Sequence, residues 1–239
     1  MRVLLCVIAI LALVVIPTEM ADAAMQFTLW PAEFSYGTPS GTFAWNSTLF
    51  GFRFDEPLGP FVSLRSDLRY GAVANPSFTA TSMSGYSGST WIADTAFRVG
   101  LRTGPVGFAA YGGYGGFFFN AKGPSASDNV VLRNLSSRLG VEATVAASGG
   151  LVLRGSYTWI TSLTANADFS MSGPPAVADS RSGTGSGSEY EITLQYSPVP
   201  VTTVFAGYRG GSSQISWSSG GGTTNSTFQG YLVGVELHF

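Results

Sequence analysis

Strict alternation of apolar and polar side chains, sustained over about ten residues at a time, constrains this chain more than any other feature. Segment 61–70 shows the pattern best. Its apolar parity consists of Val62, Leu64, Leu68 and Tyr70. Its polar parity consists of Ser63, Arg65, Asp67 and Arg69. Because successive side chains of a strand point to opposite faces, this pattern predicts a β-strand with one apolar and one charged face.

Ten segments of this kind are predicted as strands: 26–36, 42–55, 61–73, 90–102, 108–120, 135–146, 151–163, 189–197, 201–210 and 228–239. In a soluble sandwich, the charged faces would point outward to water. Most of the segments exceed the 5 or 6 residues typical of globular strands, however, and match tilted membrane strands of about 9–11 residues. We therefore predict an all-β, antiparallel transmembrane barrel. Pro31 interrupts the first segment, so eight strands are the alternative if the first hairpin does not pair.

The connections between the segments alternate in length. Short turns rich in Gly and Pro are predicted at 56–60, 103–107, 147–150 and 197–200. Long polar loops are predicted at 74–89, 120–134, 164–188 and 211–226. This alternation is typical of the periplasmic and extracellular ends of an outer-membrane barrel. The aromatic run 117–119 is predicted to belong to a belt at the outer membrane interface.

The first 23 residues have the pattern of a secretory signal peptide. A positive start at Met1-Arg2 precedes an apolar run over 3–16, and small residues precede a cleavage point after Ala23. We expect a signal peptide at 1–23 and one barrel domain at 24–239. Cleavage would remove Cys6, the single cysteine, which excludes disulfides, thiolate metal ligands and thiol catalysis in the mature chain. The formal net charge of −2 gives no indication of a nucleic-acid partner.

Most of the charged side chains fall on the predicted inward faces. A charge on the lipid face would cost about 2–4 kcal/mol at the bilayer midplane, which explains this placement. The predicted lumen charges are Arg53, Asp55, Arg65, Asp67, Arg69, Asp94, Arg98, Arg102, Arg138, Glu142, Arg154, Glu191, Arg209 and Glu236. They predict either a salt-bridged plug or the selectivity lining of a small pore. We expect the charges of 65–69 to pair with those of 94–102 on the neighbouring strand.

The last strand carries the most specific motif. Five apolar side chains share one parity and end at the chain terminus: Tyr231, Val233, Val235, Leu237 and Phe239. This strand resembles the C-terminal signature of bacterial outer-membrane β-barrel proteins. The resemblance implies location in the outer membrane, contact with its lipid, and recognition by the barrel-assembly machinery during biogenesis.

Catalysis has little support in the sequence. Outer-membrane proteases and acyltransferases of similar size use a histidine near the extracellular rim, whereas the only histidine, His238, is predicted at the opposite end. We therefore predict no catalytic, cofactor-binding or metal-binding residues. The predicted function is that of a small integral barrel with a charged lumen filled by side chains, in a structural or surface-interaction role with an unidentified extracellular partner. A narrow, passive, porin-like channel is the alternative.

Overall fold

The computed structural model of the protein describes residues 23–218 and 220–239. Residues 1–22 of the expected signal peptide, including Cys6, lie outside the described residues, so export and cleavage stay predictions. The described part contains ten strands: β1 Ala24–Thr38, β2 Gly41–Pro57, β3 Val62–Phe78, β4 Ser87–Thr103, β5 Val106–Lys122, β6 Asn129–Ala146, β7 Leu151–Met171, β8 Val177–Val199, β9 Thr202–Trp217 and β10 Thr223–His238.

The strands close into a single antiparallel barrel. Each strand pairs with its neighbours in the chain, and β1 pairs with β10 to complete the ring. The predicted fold class and the count of ten are therefore confirmed. Closure leaves no unpaired strand edge, which is the condition for a sheet to cross a bilayer. In the described residues, no helix is long and apolar enough to span a membrane.

The first strand pairs on both sides in spite of its proline. Pro31 lies opposite Thr48 of β2, and the ladder to β10 runs from the Leu29–Val233 pair to the Ala32–Gly230 pair without a change of register. Pro31 removes one backbone donor, and the remaining pairs of a 15-residue strand retain the register. The alternative of eight strands is excluded.

The two ends of the barrel differ. One end, which we call the terminal end, carries the start of β1, the end of β10 and the turns 58–61, 104–105, 147–150 and 200–201, close to the predicted short turns. The distal end carries the connections 39–40, 79–86, 123–128, 172–176 and 218–222. The prediction of long loops at this end was wrong in extent, because most of those residues continue the strands. Their Ser, Thr and Gly residues find backbone partners in neighbouring strands that are equally long.

The strand extensions invert the polarity of the wall. Towards the terminal end, apolar side chains point outward and charged ones inward. Towards the distal end, outward positions are mostly Ser, Thr and Asn, and inward positions are mostly apolar. The change occurs at a girdle of outward aromatic side chains: Tyr70, Trp91, Tyr157, Trp159, Tyr190, Tyr208 and Tyr231. The terminal half therefore has the surface of a membrane barrel, and the distal half that of a water-exposed one.

Strand lengths fit this division. Residues 151–159 of β7, from the terminal end up to the girdle residue Trp159, rise roughly 20 Å along the barrel axis at a tilt of about 40°, close to the apolar band of about 25 Å in outer-membrane barrels. Residues 160–171 add roughly 25–30 Å above the girdle at the same rise and tilt. Strand β7 thus projects above the girdle about as far as the membrane band is tall.

Candidate functional site: the packed lumen

The lumen of the terminal half is occupied by a layer of paired charges, which we call the charged layer. Its seven arginines are Arg53, Arg65, Arg69, Arg98, Arg138, Arg154 and Arg209. Its six carboxylates are Asp55, Asp67, Asp94, Glu142, Glu189 and Glu191. Nearly all of these side chains are largely removed from solvent, and each is within ion-pair distance of at least one opposite charge.

Strands β2 and β3 form the most regular part of the charged layer. Their register places Arg53 opposite Asp67 and Asp55 opposite Arg65. Arg53 Nη2 lies 2.9 Å from Asp67 Oδ2, and Arg65 Nε lies 2.7 Å from Asp55 Oδ1. Arg65 also binds the second carboxylate oxygen of Asp55 through Nη2 at 3.2 Å. Such two-point contacts fix the position of the guanidinium as well as neutralising it.

Other ion pairs cross the lumen. Arg209 of β9 lies 2.9 Å from Glu189 of β8 and 3.7 Å from Asp94 of β4. Arg53 of β2 reaches Glu191 of β8 at 3.5 Å. The Arg209–Asp94 and Arg53–Glu191 pairs join strands that are not neighbours in the sheet, so the charged layer reaches across the lumen as well as lining it.

Glu142 of β6 accepts hydrogen bonds from more arginines than any other carboxylate of the charged layer. Its oxygens accept hydrogen bonds from Arg65 at 3.1 Å, Arg98 at 2.8 Å and Arg154 at 2.6 Å. The residue is only 4% exposed. Three arginines from three different strands therefore depend on one buried anion.

The expected pairing between β3 and β4 was wrong. The register places Asp67 directly opposite Asp94, a pair of like charges, and places Arg65 opposite Ala96. Asp94 is instead neutralised by Arg138 of β6 at 2.7 Å. Arginine side chains are long enough to pass over an intervening strand, so lumen partners follow reach across the barrel and not adjacency in the sheet.

Twelve of the fourteen predicted lumen charges lie in the charged layer, and two do not. Arg102 is exposed, and its Nε donates to the carbonyl of Gly104 in the adjacent turn. Glu236 lies at the terminal end, where it accepts a hydrogen bond from Gln26 at 3.1 Å. The sequence prediction missed Glu189, which was placed at a strand boundary. Its spacing of two from Glu191 is the signal that could have assigned it to the inward face.

The lumen of the distal half is filled by an aromatic layer. Its members are Phe34, Tyr36, Phe43, Trp45, Phe78, Phe117, Phe119, Phe169 and Trp217. Phe43 and Phe78 stack at 4.1 Å between ring centroids, and Trp45 packs on Phe119 at 4.2 Å. The polar atoms of this layer are also paired: Trp45 Nε1 donates to Thr90 Oγ1 at 3.0 Å. Each large apolar side chain buried here stabilises the fold by about 1.5–3 kcal/mol.

Residues 117–119 do not form the predicted outer belt. Phe119 is fully buried, and Phe117 packs against Tyr36 and Trp45 inside the barrel. Of the three residues, only Phe118 points outward, and the guanidinium of Arg133 lies over its ring. The prediction failed because β5 continues beyond the membrane band, where the apolar parity changes from outside to inside.

Trp30 joins the two layers. Its ring centroid lies 5.1 Å from the guanidinium carbon of Arg69 and 5.3 Å from that of Arg209. Its other side packs edge-on against Phe34 and Phe228. A buried guanidinium over an indole is attracted by the negative face of the ring, so Trp30 stabilises the boundary between charged and aromatic packing.

Two small cavities lie in the lumen. One cavity of about 70 Å³ lies within the charged layer, and one of about 60 Å³ lies between it and the aromatic layer. Because a water molecule takes about 30 Å³ of liquid, each cavity has room for roughly two waters. A cavity that binds benzene measures about 150 Å³, so neither space fits an organic ligand of that size.

His238 lies at the terminal end, as predicted. Its Nε2 is 3.2 Å from Thr203 Oγ1 and 3.3 Å from Glu236 Oε1. Both neighbours face the same ring nitrogen, whereas a base oriented for nucleophilic catalysis needs its carboxylate on one nitrogen and its hydroxyl on the other. In the described residues, no group of three or more histidines, cysteines or carboxylates is placed to hold a metal ion.

The residues of the predicted C-terminal signature all lie on the outer wall of β10. Tyr231 and Phe239 are 74% and 65% exposed, and the three residues between them at the same parity are also exposed. Tyr231 belongs to the aromatic girdle. The amide of Phe239 donates to the carbonyl of Ala23 at 3.0 Å, so the final residue still takes part in closing the barrel.

Comparison with known proteins shows similarity in fold only. No protein-family model and no curated protein sequence matches the chain. The outer-membrane protease OmpT from Escherichia coli superposes with a TM-score of 0.59 at 8% identity, over 91% of this chain and 95% of that one. The translocator domain of the autotransporter NalP from Neisseria meningitidis gives 0.50 at 11% identity, over 93% and 90%.

These two neighbours differ in function, one being a protease and the other a translocator, so their shared fold assigns no activity to this chain. Both are outer-membrane barrels, and a closed barrel with an apolar outer band is consistent with that location. The chain has the fold of the bacterial outer-membrane β-barrel proteins.

Proposed function

We propose that the protein is a sealed integral barrel of the outer membrane, which anchors a water-exposed β-wall above the lipid in a structural or surface-interaction role. The observation that carries this proposal is the presence of two successive packed layers in one lumen. The charged layer spans the barrel at the membrane level, and the aromatic layer fills it above. A solute would have to displace both layers to cross.

The packing favours a sealed barrel over an enzyme. The described lumen offers no ligand-sized cavity near the charged layer, and the only histidine is held at the terminal end. The arginines and carboxylates neutralise one another, so none of them is left poised as a base or nucleophile. We propose that their role is to fill and hold the barrel.

The narrow-channel alternative has one observation in its favour. The two small cavities share Arg138, Glu189 and Arg209 in their walls, so they adjoin at the boundary between the layers. Motion of these side chains could connect them into a path for water or small ions. The distal route would still be blocked by Phe43, Phe78 and Phe169, whose rings are in mutual contact.

Liposome swelling separates the two functions. Proteoliposomes that contain the mature chain are diluted into isotonic solutions of glycerol, arabinose or sucrose, and swelling is followed by light scattering. A sealed barrel predicts the rate of empty liposomes for all three solutes. Rates that fall with increasing solute size would identify a passive channel and overturn the proposal.

A further inference from the structure

A groove of about 420 Å³ lies on the outer wall of the barrel, across β8, β9, β10 and β1. We call it the outer-wall groove. Unlike the lumen cavities, it is open to the outside and falls within the range of about 300–1,000 Å³ typical of ligand sites. The residues that give it its chemistry are Glu33, Ser188, Tyr190, Ser212, Thr227 and Gln229.

The strand register builds the groove from two rows of outward side chains. The lower row runs from Tyr190 through Gly210 and Gln229 to Glu33, and each member pairs with the next on the adjacent strand. Gly210 is needed there, because a Cβ atom at that position would lie 2.7 Å from the Tyr190 hydroxyl. Because glycine has no Cβ atom, the Tyr190 ring can lie across β9 at this position and form the floor of the lower row.

The upper row consists of small hydroxyl residues. Ser188 pairs with Ser212, Ser212 with Thr227, and Thr227 with Ser35. The depression exists because these short side chains face the bulkier Tyr190, Gln229 and Glu33 below them. Each hydroxyl can both donate and accept a hydrogen bond.

A hydrogen-bonded chain fixes the acidic end of the groove. Tyr208 Oη donates to Gln229 Oε1 at 3.0 Å, and Gln229 Nε2 donates to Glu33 Oε2 at 3.4 Å. Glu33 is exposed and makes no ion pair with the described residues. One of its carboxylate oxygens is therefore held in place while the carboxylate remains open to a donor from outside.

This set of groups matches a sugar ring better than a phosphate. Vicinal hydroxyls of a sugar donate to a carboxylate and exchange hydrogen bonds with serine and threonine hydroxyls. A phosphate would be repelled by Glu33, and no arginine or lysine lines the groove to neutralise it. The groove therefore selects a polyhydroxyl ring without an anionic group.

Position decides where such a ring would come from. The lower row lies close to the aromatic girdle, two residue pairs above the Tyr208–Tyr231 pair. Aromatic girdles mark the boundary between hydrocarbon and headgroups. We propose that the outer-wall groove binds the uncharged sugar headgroup of a glycolipid in the surrounding leaflet, with its acyl chains against the apolar band below. This inference rests on the proposed membrane placement.

Native mass spectrometry can test it. The mature chain is purified in lauryldimethylamine oxide, which has no sugar, and is mixed with equal amounts of diglucosyldiacylglycerol and phosphatidylglycerol. We expect the glycolipid to be retained in clear preference to phosphatidylglycerol. Equal retention of the two lipids, or preference for the phosphate lipid, would overturn the assignment.

Three variants locate the binding. Ser212→Trp fills the groove, and Ser216→Trp is the matched control, because Ser216 is an exposed outward serine of the same strand outside the groove. We expect Ser212→Trp to abolish the preference and Ser216→Trp to keep it. Glu33→Gln should weaken retention by about tenfold, since it replaces a hydrogen bond to a charged acceptor with a neutral one. Unchanged retention in Ser212→Trp would place the lipid elsewhere and refute the inference.

The last measurement is the binding of free maltose, a sugar without acyl chains. Because the proposal assigns part of the affinity to acyl chains on the apolar band, maltose alone should bind far more weakly than the glycolipid. Comparable binding of maltose would assign the groove to soluble saccharides and contradict the membrane source.

Folding of each variant is checked by heat-modifiable migration, and insertion into liposomes is checked separately. A chain that inserts normally yet shows no glycolipid preference would overturn this inference alone and leave the sealed barrel intact.

Discussion

At the scale of single residues, Glu142 is the carboxylate that joins the largest number of arginines by hydrogen bonds. It pairs with Arg65, Arg98 and Arg154, and it is almost fully buried. We predict that Glu142→Gln lowers the free energy of unfolding by about 3–5 kcal/mol, because removal of one partner leaves buried charges uncompensated. The measurement is urea unfolding in detergent, followed by tryptophan fluorescence.

Glu236→Gln is the matched control for that substitution. Glu236 is also an inward glutamate, but it contacts only Gln26 and His238 at the terminal end. Its substitution should cost less than about 1 kcal/mol, as for a partly exposed ion pair. Equal stabilities of the two variants would contradict the claim that the charged layer is a mutually dependent network.

Asp128 gives the distal end a dependence on pH. Hydrogen bonds from Ser172, and others from Ser125 and Tyr86, hold the pKa of Asp128 below its usual range. A group whose folded pKa is lowered contributes stability above its unfolded pKa and loses it as the pH falls through the folded pKa. We predict that the contact between loops 123–128 and 172–176 is intact at neutral pH and is lost in strong acid.

Hydrogen exchange of the Ser172 amide measures this contact, because that amide donates to Asp128 Oδ1 at 2.8 Å. The ratio of its exchange rate to that of an unstructured peptide should rise on acidification in the native protein. In Asp128→Asn, which removes the titrating group, the ratio should not change with pH over the same range. A pH-dependent ratio that persists in the variant would assign the effect to another group.

At the scale of strands, alternation predicted each element but not its length. Period-two patterning was sufficient for ten strands, because apolar and charged residues alternate clearly below the girdle. Above it, β7 and β8 continue for about ten residues through Ser, Thr, Gly and Ala. Those residues have weak strand preference alone, and only pairing with an equally extended neighbour stabilises them as strand.

The lumen charges also show how far the sequence alone could predict the structure. Twelve of them lie in the charged layer and Glu236 also faces inward, since the direction of a strand side chain depends only on local geometry. Their partners could not be predicted, because Arg209 meets Asp94 and Arg53 meets Glu191 across the barrel. Those distances depend on closure and stagger of the whole sheet, which no single segment encodes.

The final strand carries the prediction that belongs to this scale. Phe239 is exposed on the outer wall at the end of β10, and its side chain fills no part of the lumen. We predict that Phe239→Asp prevents insertion into the outer membrane without stopping export, because the side chain acts during assembly. Phe239→Tyr keeps an aromatic ring and should assemble.

Cell fractionation and heat-modifiable migration measure that outcome. The Asp variant should collect unfolded in the periplasm, whereas the Tyr variant should migrate as a folded barrel from the membrane fraction. Normal assembly of Phe239→Asp would refute the role of this strand as an assembly signal.

At the scale of the molecule, the chain is one barrel with two polarities. Below the girdle it is apolar outside and charged inside, and above the girdle it is polar outside and apolar inside. The outer surface of the lower half suits lipid, and that of the upper half suits water. The continuous hydrogen-bonded wall joins the two halves. The two fillings have opposite chemistry, and the proposed function requires both to close the lumen.

Electrical recording in planar lipid bilayers tests this closure most directly. The mature chain is inserted at a known density and held at both polarities in potassium chloride. The sealed lumen predicts a current no greater than that of the protein-free bilayer, with no discrete steps. Stable, reproducible conductance steps from the unmodified protein would contradict the account, because ions would then pass through both packed layers.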